Sequence, residues 1–128
     1  MTGTVLEKLR RSFASTRRYL SGRTLILLYH RVGDADSDPW QLAVTPQHFD
    51  EQLQVLRKYA WPLSLRELST AHGRNWHPGR RVVITFDDGY ADNLTAAKPL
   101  LEKHDIPATV FIATGYTGAD REFWWDEL

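Results

Sequence analysis

Asp87 and Asp88 stand side by side where the run Arg81-Val82-Val83-Ile84-Thr85-Phe86 ends and Gly89-Tyr90 begins. Neighbouring carboxylates raise one another's proton affinity unless a cation lies beside them, so the pair is costly without a metal or a proton to move. Such a pair points to a metal site or a proton-transfer role. The alternative is that one of them caps the following helix, a task that needs one acid and not two. No cysteine is present, so thiolate metal sites and cysteine nucleophiles are excluded, and any metal must be held by oxygen and imidazole. His30 directly follows an apolar run and could face the same site, although with Tyr29 it could equally close the core. His72 and His77 are five apart in a polar stretch that contains Gly73 and Gly79, where solvated histidines outnumber metal ligands.

The elements that must position these residues alternate between strand and helix. Thr24 to Tyr29 reads as a buried strand and the acidic stretch from Gly33 to Pro39 as a loop. Thr45-Pro46 reads as an N-cap and first-turn proline, opening a helix to about Tyr59 with Phe49, Leu53 and Leu56 on one face. Ser64 and Glu67 form a capping box for a shorter helix stopped near Gly73. The β-branched run Arg81 to Phe86 suits a strand covered on both faces. A helix from about Ala91 to His104 follows, with Leu94, Ala97, Leu100 and Leu101 apolar and Pro99 bending it, and Ala108 to Ile112 is again strand-like. This order predicts an α/β fold with parallel strands, whose functional residues gather at the carboxyl ends of the strands.

The 128 residues suffice for one domain, or part of one, and the formal net charge of zero gives no electrostatic case for nucleic acid. Residues 1–22 are read as a basic N-terminal helix and residues 23–128 as the domain portion. Val5, Leu6, Leu9 and Phe13 fall at helical spacing among basic residues, so this helix either packs on its own domain or rests on an anionic membrane surface. Neither a membrane span nor a secretory signal is seen, and the expected location is cytoplasmic or membrane-peripheral.

Two families with acids at strand ends fit poorly. Haloacid-dehalogenase phosphatases need aspartates two residues apart, and P-loop nucleotidases need a Gly-x-x-x-x-Gly-Lys-Ser/Thr loop that the chain lacks. Thr85-Phe86-Asp87-Asp88-Gly89-Tyr90, by contrast, resembles the first motif of the polysaccharide deacetylases, carbohydrate esterase family four. Leu27-Leu28-Tyr29-His30-Arg31-Val32, the stretch from Pro46 to Leu68, Asp92-Asn93-Leu94, Ile106-Pro107-Ala108-Thr109 and Phe123-Trp124-Trp125-Asp126-Glu127-Leu128 extend the resemblance.

The resemblance implies a partial (β/α) barrel, its N-terminal half, with parallel strands and flanking helices. It implies a divalent metal, commonly zinc, with Asp87 as general base, Asp88 as metal ligand, and removal of N-acetyl or O-acetyl groups from a polysaccharide or glycoconjugate. His30, Tyr90, Trp124 and Trp125 would then meet substrate, the tryptophans by stacking on sugar rings, although burial suits at least one of them. In the family two histidines four apart, in a His-Ser/Thr-x-x-His motif, complete the metal site. This sequence contains no such motif. The expectation is therefore an N-terminal portion that is inactive and binds metal weakly until its C-terminal half is supplied. The alternative is a non-catalytic carbohydrate-binding remnant or partner subunit.

Overall fold

The computed structural model describes residues 24–34, 38–70 and 79–127. The basic N-terminal segment and both His72 and His77 lie outside the described residues. At the centre is β5 (Arg81–Phe86), all six residues of which are buried, as a β-branched and aromatic run covered on both faces should be. Strand β1 (Thr24–Tyr29) pairs along one side of it in parallel, from Thr24 opposite Arg81 to Tyr29 opposite Phe86. Two shorter parallel strands share its other side, β4 (Trp61–Pro62) at the start and β6 (Ala108–Val110) at the carboxyl end. A second, two-stranded parallel sheet joins β2 (Arg31–Val32) to β3 (Ala43–Val44). The result is the expected α/β arrangement of parallel strands and flanking helices, which among the described residues form an open sheet and not a closed barrel.

Helix α1 (Pro46–Tyr59) starts as its sequence dictates. Thr45 Oγ1 accepts from the His48 amide at 3.2 Å, and Pro46 occupies the first turn, where no amide donor is needed. Phe49 and Leu53 enter the core against Ile84 and Phe86, joined by Val32, Ala97, Leu101 and Ile106. Tyr29, Phe49 and Phe86 meet with ring centroids 5.1–6.0 Å apart. Each such side chain contributes about 1.5–3 kcal/mol on burial, and Leu53→Ala would cost about 2–5 kcal/mol. The capping box forms at α2 (Leu65–Thr70): the Ser64 amide and hydroxyl both donate to Glu67 Oε2 at 2.7 Å, and the Glu67 amide donates to Ser64 Oγ at 3.2 Å. These bonds hold the Glu67 carboxyl below its ordinary pKa.

Two readings of the sequence need correction. Strand β1 is not buried on both faces: Leu25, Ile26 and Leu28 are more than half exposed, because among the described residues β1 pairs with β5 alone. The helix expected from Ala91 to His104 is not one helix either. Residues Asn93–Ala97 form a π turn, in which the Lys98 amide reaches the Asn93 carbonyl, before α3 (Lys98–Lys103) begins. Pro99 has no amide to donate and its ring would crowd the carbonyl four residues back. The wider π register clears that clash and leaves Pro99 in the first turn of α3. The change of register turns Asn93 into the core and Leu94 out to 65% exposure.

Candidate active site

The acids leave the sheet at the carboxyl end of β5. The Asp87 amide donates to the Tyr29 carbonyl at 3.0 Å, one step beyond the last β1–β5 pair. Continuing that register sets His30 beside Asp87, and strand alternation puts Asp87 on the face of Val83 and Thr85. The chain then bends sharply. Asp88 has φ +69°, and the Gly89 amide donates to the Asp87 carbonyl at 2.9 Å, closing a γ-turn with Asp88 at its centre. Gly89 follows at φ +76°, and a β-carbon there would sit 3.3 Å from Ile112. The Ala113 amide fastens the bend by donating to the Asp88 carbonyl at 3.1 Å. A non-glycine residue in this region stores about 1–3 kcal/mol of strain and persists only where its surroundings hold it.

Among the described residues neither carboxylate makes a hydrogen bond, so capping is not their use. Burial pushes the Asp88 carboxyl above its ordinary pKa; the charges of Asp87 and Asp126 add to this, and that of a protonated His30 opposes it. His30, Asp87, Asp88 and Asp126 therefore share one electrostatic neighbourhood. Tyr90 is held between two groups, donating to Asp126 Oδ2 and accepting from Trp125 Nε1, each at 2.8 Å. Burial and that carboxylate push its phenol up to about 12.

The structure brings His30, Tyr90 and Trp125 toward the acidic pair and divides the two tryptophans. Trp125 is stacked on Phe123, with centroids 4.7 Å apart and rings 6° from parallel, and lies against Tyr116. Trp124 crosses Trp125 edge-on and is 61% exposed, so it is the one with a ring free to meet a ligand. Five residues escaped the sequence reading. Asp126 pairs with Tyr90, Trp40 Nε1 donates to the Trp125 carbonyl at 3.0 Å, and Arg31, Asp92 and Asn93 form a polar network behind His30. The one sequence signal for Arg31, Asp92, Asn93 and Asp126 was membership of stretches that resemble the deacetylases, and Trp40 had none. An open groove of about 1270 Å³ runs between α3 and β6, lined by Trp61, Phe86, Tyr90, Leu94 and Ile112 among others; neither aspartate nor His30 lines it.

Comparison with known proteins agrees with this geometry. Residues 74–128 match the family described as polysaccharide deacetylase. This chain is similar to the polysaccharide deacetylases. It is 31% identical over 117 residues to the poly-β-1,6-N-acetyl-D-glucosamine N-deacetylase of Staphylococcus aureus, an alignment covering 81% of this chain and 40% of that enzyme. Among solved structures it superposes on IcaB from Ammonifex degensii with a TM-score of 0.67 and 30% identity, covering 79% of this chain and 42% of the other. The Streptococcus pyogenes deacetylase PplD, solved in complex with acetate, gives a TM-score of 0.66 and 31% identity, covering 80% and 49%. The chain thus spans less than half the length of each of these three relatives.

The family implies a divalent metal, for which a catalytic site ordinarily supplies three protein ligands. Among the described residues no group of three histidine, aspartate or glutamate side chains could hold one. The described donor set does not by itself fit the ion.

Proposed function

We propose that this chain supplies the general base, Asp87, and one metal ligand, Asp88, to a hydrolase that removes N-acetyl groups from a polysaccharide. The observation that carries this reading is the pair of unbonded carboxylates at the carboxyl end of a covered parallel strand, one of them in a strained turn with raised proton affinity. The names of the relatives, poly-β-1,6-N-acetyl-D-glucosamine deacetylase among them, support N-acetylated sugar as the substrate class. In the reaction a water oxygen adds to the acetamide carbonyl carbon while Asp87 takes a water proton. The carbon–nitrogen bond then breaks, the nitrogen gains a proton, and acetate and a free amino sugar leave. His30 and Tyr90 line the approach, and the open face of Trp124 stacks on a sugar ring.

The missing ligands, on this reading, come from a histidine-bearing C-terminal half, and the present chain alone is inactive and binds zinc weakly. Acetate release from an N-acetylated oligosaccharide tests it: turnover is expected with divalent metal from the chain joined to that half, and none from the chain alone or after chelation. Metal-independent turnover would overturn it. The exposed Trp124 and the incomplete donor set favour a second reading, a non-catalytic carbohydrate-binding partner. That reading expects oligosaccharide binding lost in Trp124→Ala and unchanged in Asp88→Asn.

A further inference from the structure

Two adjacent side chains grip the end of β1 from across the sheet, and the proposed chemistry gives them no task. Asn93 Nδ2 donates to the His30 carbonyl at 2.8 Å. Asp92 Oδ1 accepts from the Val32 amide at 3.2 Å, and Asp92 Oδ2 accepts from Arg31 Nε at 3.1 Å. Residues 30, 31 and 32 are thus each held by residue 92 or 93. A further bond at 3.1 Å, from Asn93 Nδ2 to Asp92 Oδ1, locks the two holders together. His30 belongs to neither sheet, lying between the end of β1 and the start of β2.

The grip is costly to keep. Asn93 is 7% exposed and its Oδ1 is buried with no hydrogen-bond partner, an expense that an apolar residue at the same place would avoid. Ala97, four residues on, fills the neighbouring core position without a polar atom. The π turn that brings Asn93 inward is itself a departure from regular helix of a kind often found at functional sites. Apart from the bond between Asn93 and Asp92, the network converges on the backbone around His30 or on Arg31, whose guanidinium lies 4.9 Å over the Tyr90 ring.

We infer that Asp92 and Asn93 are positioning residues: they fix the main chain at His30 so that its imidazole faces Asp88, and they act on turnover through His30. This rests on the deacetylase reading, and its test separates the two. In the chain joined to its histidine-bearing half, Asn93→Asp keeps the size of the side chain but loses the donor to His30. It is expected to lower kcat by about 10- to 100-fold with KM moved by less than about twofold, the scale of a small misplacement at a reacting centre. In a His30→Ala background, itself slowed, the same change is expected to alter kcat by less than about twofold, because the residue acted through one already lost. Equal losses in both backgrounds, or an unimpaired His30→Ala enzyme, would overturn the inference. Leu94→Ala, on the exposed side of the same turn, controls for helix damage and should leave kcat unchanged. If Asn93→Asp fails to fold, Asp92→Asn enters the same cycle. One readout needs no turnover: Asp92→Ala, which removes the acceptor, should speed hydrogen exchange at the Val32 amide in the chain as it stands. Unchanged exchange there sinks the positioning role, whereas a parent enzyme that releases no acetate sinks the deacetylase reading.

Discussion

Asp50, on α1, and Asp88, beyond β5, are both partly covered carboxylates, and the fold treats them in opposite ways. Asp50 Oδ1 meets Lys103 Nζ at 2.8 Å and His104 Nε2 at 2.7 Å, while Oδ2 accepts from Gln54 at 2.9 Å. The bonds from Lys103 and His104 draw its pKa down to about 2. The Asp88 carboxylate has no hydrogen bond among the described residues, its residue sits at φ +69°, and its proton affinity is pushed up by burial and by Asp87 and Asp126. A saturated acid ties two helices together. On the proposed reading, the acid left unsatisfied in a strained turn is kept for a partner from outside the fold, and that contrast is what substitution can test.

The contrast breaks or holds by substitution. Asp87→Asn in the joined enzyme should lower kcat by about 10²- to 10⁴-fold, the usual worth of a general base, while Asp50→Asn should leave kcat unchanged. Steady-state acetate release compares them, and equal losses would erase the distinction. Asp88→Gly removes a side chain from a left-handed turn and should raise stability in urea by about 1–3 kcal/mol even as it removes activity. A stabilising change that destroys function is the mark of a strained site; a destabilised Asp88→Gly would mean the turn is not strained.

Acid unfolding sharpens the comparison further, since the two groups carry opposite signs. Folding lowers the Asp50 pKa from 3.8 to about 2, so its stabilisation is complete above 3.8 and is lost as pH falls toward 2. Folding raises the Asp88 pKa above 3.8, so the native state binds more protons than the unfolded chain, and stability falls as pH rises through that window. Urea midpoints measured against pH should therefore lose part of their acid sensitivity in Asp50→Asn. In Asp88→Asn they should rise relative to the parent above the window. The smallest effect is expected at the aromatics: Trp125→Ala should lower stability, whereas Trp124→Ala should leave the melting temperature within the range of ordinary surface changes and weaken oligosaccharide binding.

What the sequence disclosed was local. The caps at Thr45 and Ser64 depend on partners three residues away, and the covered strand ending in two acids is a continuous run, so all were legible. The unexpected features depend on distance in sequence or on register. Arg31 meets Asp92 across 61 positions and Tyr90 meets Asp126 across 36, pairings that composition and periodicity do not encode. Pro99 announced a bend, but not that a π turn would absorb it and exchange the fates of Asn93 and Leu94. Nor does an Asp-Asp-Gly triplet reveal that its second aspartate, as well as its glycine, adopts positive φ.

Metal affinity tests the central contrast most directly. Calorimetric zinc titration of the joined enzyme should give one tight site in the parent and in Asp50→Asn. In Asp88→Asn that site should be weakened by more than about 100-fold, beyond the 10- to 100-fold typical of losing a group that only supports a ligand. Equal zinc affinity in Asp88→Asn and the parent would contradict the assignment of Asp88 as a ligand.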